Sequence, residues 1–255
     1  MPIAPLIEEL GLTRVWQKLD EAFSQEVPAG LRTLSDRLVK SIRGGTVTVE
    51  EIDSLLGKAP QITPEQKAYL LSRKAWLLCQ QDRIEEGLQC YEEALKAKEI
   101  PSTWALKGAA LLQLPRLDEA FQAFQKAYAL RENFGKQKQG YLEDLFRGWS
   151  TAALVQGLFG ILEQDLREAQ KGVEEYLAVL DKAKGEGLEG AVVEKLSAKE
   201  PISQEHQEAL EELKLMVRLL AIKDPFEGWR ALAKEMSKVW PEGVSAVDAI
   251  REQRE

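Results

Sequence analysis

Histidine and cysteine are scarce in this chain of 255 residues: it has one His, His206, and two Cys, Cys79 and Cys90. A single His excludes a multi-histidine metal site and leaves no Ser-His-Asp triad in view. Beside Glu205 at a helix start, His206 reads as a solvated surface residue. Both Cys fall on expected helices, which favours buried free thiols over a disulfide. Basic residues are in the minority, with 34 Lys and Arg against 42 Asp and Glu. The net charge of -8 argues against a nucleic-acid surface. A phosphate-binding glycine loop is missing, because Gly185, Gly187 and Gly190 follow no strand. The first residues, Met1 to Leu6, lack the basic region and apolar run of a signal peptide, so a cytoplasmic location is expected. Long hydrophobic runs are also lacking, with one exception from Leu145 to Leu162. Arg147 and Gln156 interrupt that run, and Glu143, Asp144, Glu163 and Asp165 flank it. A helix buried in a protein core is therefore expected, not a membrane span.

Catalytic constellations are equally thin. Glu50-Glu51, Glu85-Glu86, Glu174-Glu175 and Glu211-Glu212 are adjacent carboxylates. Neighbours on a helix diverge by about 100°, so such pairs do not converge as a general acid and base do. They read as solvated helix faces. No enzyme and no cofactor is implied.

The chain does have helix signals along almost its whole length. It is 44% hydrophobic and 30% charged, the balance of a globular protein. Leu6, Leu10, Val15, Trp16, Leu19 and Phe23 carry a helical period with a break at Gly11. Pro28 starts a second helix through Leu31, Leu34, Leu38 and Ile42, ended by Gly44-Gly45. Thr48 and Glu51 form a capping box for a third. Thr63-Pro64-Glu65-Gln66 is a strong start for a helix to about Gln80. Asp82 with Glu85 caps the next, to about Lys98. Pro101 opens a helix to about Leu114, and Leu117 to Arg131 forms its partner. A longer helix from near Gly140 and one from Glu163 to Lys184 follow. Lys184 to Ser203 contains three glycines in six residues, each costing about 1 kcal/mol in a helix, and reads as a hinge with one short helical turn. Ser203 opens an amphipathic helix to Ile222. Asp224-Pro225 opens another bearing Trp229, Leu232, Met236 and Trp240, and a short final helix starts at Ala246. These signals divide the chain into an amino-terminal helical cap (1–60), a repeat region (61–184), a hinge (185–203) and a carboxy-terminal helical segment (204–255).

Two segments of the repeat region share a spaced signature. Trp104, Gly108 and Leu111 are followed by Ala120, Phe124 and Ala127, and upstream Leu71, Ala75 and Leu78 are followed by Gly87, Tyr91 and Ala94. In both, the second small residue falls twelve positions after the first, and the copies start 33 residues apart. Gly157, Ala169 and Val173 repeat the spacing after an insertion. A period in the thirties with this pattern indicates stacked helical hairpins. The stretch from Ala68 to Glu132, with Ser150 to Lys182 as a third copy, resembles tetratricopeptide repeats. The expected fold is accordingly all-α, a helical-hairpin solenoid with an amino-terminal cap and carboxy-terminal helices.

The resemblance implies protein or peptide binding on the concave side, lined by the first helix of each hairpin. It places Tyr69, Ser72, Trp76 and Cys79 there, then Ser102, Ala105, Ala109 and Leu112, then Leu154, Leu158 and Ile161. Family members that clamp an acidic peptide end use Lys, Arg and Asn at these places, and this chain does not match them. An apolar groove of this kind is not left wet. Its occupant is either a partner's apolar helix or the chain's own carboxy-terminal helices, Glu205 to Trp240, which carry suitable stripes and are favoured. The bland alternative is that these residues are core under other helices of the same chain. A non-catalytic adaptor or scaffold is the leading function. In the rival reading Trp229, Trp240 and Arg251 belong to a tail resembling those of small antitoxins, and the chain is a regulatory or inhibitory subunit docking on an enzyme. A structural homo-oligomer is a third option.

Overall fold

Short side-chain signals start the helices where the sequence places them. Thr48 accepts from the Glu51 amide at 3.3 Å while Glu51 accepts from the Thr48 amide at 3.2 Å. Thr63 and Gln66 make the same reciprocal pair at 3.2 and 3.0 Å. The computed structural model describes residues 10, 12–28, 30–57, 62–114, 116–197 and 204–221, and among these it is all-α, with no strand.

The helices are α1 (Leu12–Gln25), α2 (Leu31–Leu34), α3 (Asp36–Arg43), α4 (Val49–Leu56), α5 (Pro64–Gln80), α6 (Ile84–Ala97), α7 (Pro101–Leu112), α8 (Leu117–Ala129), α9 (Lys138–Leu162), α10 (Leu166–Gly185), α11 (Glu189–Ser197) and α12 (Gln204–Leu220), with a 3-10 segment Arg131–Gln137 before α9. Three places differ from expectation. The helix expected from Pro28 is broken at Ser35, whose extended backbone lets its hydroxyl cap α3 by accepting from the Leu38 amide. Asp82 does not cap α6; it sits in the left-handed region at φ 62, and Arg83 takes the cap position. The expected hinge holds the nine-residue α11, packed against α9 and α10. There Val192 is fully buried and its carbonyl accepts from the Tyr176 hydroxyl. Its three glycines do different jobs: Gly185 ends α10, Gly187 turns the chain at φ 71, and Gly190 lies in α11.

Helices α5 and α6, α7 and α8, and α9 and α10 form the tightest pairs. All three pairs are closed by one turn. The Arg83 amide donates to the Leu78 carbonyl at 3.0 Å, the Arg116 amide to Leu111 at 3.2 Å, and the Asp165 amide to Gly160 at 2.7 Å. Four residues later, the amides of Gly87, Ala120 and Ala169 donate back to the carbonyls of Arg83, Arg116 and Asp165, the residues that close the turns. These are the small residues of the sequence signature. Each later pair leans on its predecessor: α7 touches α5 and α6, and α9 touches α7 and α8. Phe124 makes this contact by lying on Gly108 of its own pair with its ring centroid 6.4 Å from that of Trp149 in the next. Helix α12 touches α9 and α10 in the same way, and α4 packs on α5 at the other end.

The run Leu145 to Leu162 lies within α9, which α1, α7, α8, α10, α11 and α12 all contact, and this explains why it is apolar on every side. No helix among the described residues is long and apolar enough to cross a membrane.

In the α9–α10 pair the backbones touch. A Cβ on Gly172 would lie 2.3 Å from the Gly157 nitrogen and 2.7 Å from the Ala153 carbonyl oxygen, and one on Gly160 would lie 2.2 Å from the Ala169 nitrogen. Backbone cannot rotate away as a side chain can. Gly172→Ala is therefore expected to destabilise the protein by about 3 kcal/mol, the upper part of the overpacking range. Gly140→Ala, where nothing lies within 4 Å, should be neutral or stabilising by up to about 1 kcal/mol. Urea unfolding of the two variants measures both.

Candidate functional site

The first helices of the three pairs, α5, α7 and α9, present one apolar face, and the chain itself covers it. Val15, Trp16, Leu19 and Phe23 recur at helical spacing on α1, and none is more than 6% exposed. This stripe runs beside α7 and α9. Val15 lies over Gly148 of α9, where a Cβ would come within 3.3 Å of its methyl. The Phe23 and Tyr69 ring centroids are 4.7 Å apart.

The structure brings the expected groove residues together and buries them. Tyr69, Ser72, Trp76, Ala105, Ala109, Leu112, Leu154 and Leu158 are all 5% exposed or less. Ser72 is spent internally: its hydroxyl donates to the Ala68 carbonyl at 2.8 Å and so accepts from Thr103 at 2.8 Å. The favoured occupant, Glu205 to Trp240, is corrected for its described part. Helix α1 runs along α7 and α9, while the stripe of α12 is used on the α9–α10 pair, with Leu213 seated over Gly157; residues 222–240 lie outside the described residues. His206 is corrected for the same reason. It belongs to the buried stripe His206, Leu210, Leu213 and Val217 and is 6% exposed rather than solvated. Trp229, Trp240 and Arg251 lie outside the described residues.

Sequence reasoning missed the charge pair inside this interface. Arg73 Nη1 donates to Asp20 Oδ1 across α5 and α1. The two side chains are 5% and 14% exposed. Burial pushes the Asp20 carboxyl above its ordinary value, and the Arg73 guanidinium offsets only part of that. The available signal was the basic pair Arg73-Lys74 inside the otherwise apolar run Ala68 to Cys79, opposite in sign to an acid beside the α1 stripe. A second missed contact lies deeper: the Trp149 indole N–H donates to Glu175 at 2.7 Å, so one of the paired carboxylates is structural.

Both cysteines are free, and burial pushes the Cys79 thiol up to about 12, far from a reactive thiolate. Among the described residues no group of three or more His, Cys, Asp or Glu is placed to hold a metal ion. Among the described residues the most exposed large apolar side chain is Leu166 at 75%, in a cleft of about 550 Å³ shared with Leu215, Met216 and the expected groove residue Ile161. No protein-family model, no curated protein and no solved structure matches the chain.

Breaking a buried pair strands its surviving charge. Arg73→Met should destabilise by about 3–5 kcal/mol, and the double replacement Asp20→Leu with Arg73→Met should recover most of the loss. Because the Asp20 carboxyl is raised, it takes up its proton readily once its partner is gone. The single-variant deficit should therefore be larger at pH 8 than at pH 4. Denaturant unfolding at the two pH values checks it.

Proposed function

We propose that this chain is a non-catalytic protein-binding scaffold built of tetratricopeptide-like hairpins, and that the face of α5, α7 and α9 takes an amphipathic helix. The observation that carries this reading is α1 itself. An amphipathic helix already lies on that face, with apolar residues in its contact stripe and one acid matched to Arg73. The shared turn closing all three helix pairs, at the positions of the small-residue signature, supports the repeat reading. A partner's helix would carry the same pattern: apolar residues at four-residue steps with a carboxylate beside the central one. It would compete with α1, and the intact chain would bind it weakly until α1 yields.

The test uses the full chain. Leu19→Glu puts a charge at a buried position in the middle of the α1 stripe and weakens its docking. This variant should capture a labelled peptide of residues 12–25 with a Kd in the micromolar range, and the unmodified chain should bind roughly tenfold more weakly or worse. Fluorescence anisotropy reads both. Failure of a folded Leu19→Glu protein to bind the peptide would sink the proposal.

A further inference from the structure

A second concavity lies at the end of the α1 stripe, where α1 meets the starts of α5 and α7 and the 3-10 segment. It has a volume of about 600 Å³, within the range of small-ligand sites. Three aromatic rings line it, Phe23, Tyr69 and Phe134. Phe23 and Tyr69 pack at 4.7 Å, and Phe134 stacks on Tyr141 behind it at 4.8 Å, so the rings are held by partners. Among these rings stands the carboxylate of Glu26, half-buried and without an ion pair among the described residues. The rim carries Glu65, Glu99 and Lys98, and Lys98 is engaged with Glu65 at 3.1 Å. The lining therefore holds three carboxylates against one ammonium, and that ammonium is spent.

The wall behind Glu26 is polar and unsatisfied. The hydroxyls of Tyr69, Ser102 and Tyr141 are buried without a hydrogen-bond partner, although each of these residues is only 1% exposed. The Tyr141 hydroxyl faces both Glu26 and Ser102 but closes a well-formed hydrogen bond with neither. Three orphaned hydroxyls in one place are costly, at about 1–3 kcal/mol each. A carboxylate without an ion pair among aromatic faces has one complement, a positively charged nitrogen on an apolar stem.

We propose that this cavity binds a small organic ammonium ion, its nitrogen held by Glu26 and its alkyl stem packed against Phe23, Tyr69 and Phe134. Burial pushes the Glu26 carboxyl up to about 7, and only the Tyr141 hydroxyl acts to lower it. A bound cation would restore the ionised form. Affinity should therefore rise with pH across the neutral range as Glu26 gives up its proton. Glu65, Lys98 and Glu99 stand at the rim and Tyr69 and Tyr141 behind; Lys98, the one cation of the lining, pairs with Glu65 rather than Glu26.

The test is a titration of the full chain followed by NMR. The probes are n-butylammonium, the neutral 1-butanol and the anionic butanoate. Saturable shifts of the Tyr69 and Phe134 ring protons are expected with n-butylammonium at pH 8, roughly tenfold stronger than with either control. Affinity should fall by roughly tenfold or more at pH 5.5. Glu26→Gln should abolish that pH dependence and weaken binding to the level of 1-butanol. The same variant should raise Tm at pH 8 and leave it unchanged near pH 4.5. The raised carboxyl costs stability only as pH climbs through the window between its ordinary value and about 7. An Nα-acetyl-lysine methylamide arm separates two sources of the same head group. Tighter binding there assigns the cation to a peptide's lysyl side chain; tighter binding of n-butylammonium assigns it to a free amine. Equal binding of butanoate or 1-butanol, shifts that map away from Tyr69 and Phe134, or an unaltered affinity in a folded Glu26→Gln protein would overturn the proposal.

Discussion

Water cannot be left against the face formed by α5, α7 and α9, and the architecture follows from that constraint. Tyr69, Trp76, Ala109 and Leu112 present no charge, and a face of this size needs a cover. The cover is α1, which makes the amino-terminal block more than an end piece. Its α4 abuts the side of α5, while α1 crosses to reach α7 and α9. The three hairpins are thereby tied together by a helix that belongs to none of them. Each hairpin alone contacts mainly its neighbour, whereas α1 binds the first helices jointly and makes the set cooperative.

Apolar burial is nearly non-directional and does not fix how far α1 slides along its track. The buried contact between Asp20 and Arg73 does. A shift of one helical turn would leave two desolvated charges apart, so the pair acts as a register pin whose net contribution to stability is small. The orphaned Arg73 Nε shows that the pin is incompletely satisfied. Close backbone contact plays the corresponding part in the α9–α10 pair. Gly172 fits at only one height against Gly157, and steric exclusion sets the register there without any polar group.

Much of the helical layout was legible because its causes are local. Thr48 and Thr63 cap through residues three positions away, and the Leu78, Leu111 and Gly160 turns need only a short loop and a small residue after it. The break at Ser35 was hidden because Leu31, Leu34, Leu38 and Ile42 fit one continuous period, while the competing hydroxyl cap is a single residue. Tyr69, Ser72, Trp76, Ala105 and Ala109 are all buried, and that they share a face was legible from the spacing. The occupant was not. Helices α1 and α12 carry equally suitable stripes, and the choice depends on Asp20 meeting a residue 53 positions away. The cavity at Glu26 was invisible for a similar reason. Its walls come from four separated segments, and Glu26 alone is one acid among many.

The contact between Val15 and Gly148 has a consequence in time. During synthesis α1 leaves the ribosome before the helices it covers, and its docking face is complete only when α9 has been made, roughly 130 residues later. At about 5–20 residues per second that interval is about 7–26 s. The α5 and α7 part of the face emerges within it, beside a helix that has not yet closed over the whole. A newborn chain thus passes through a stage in which part of this apolar face stands uncovered, and it ends only when α9 joins α7 beneath α1.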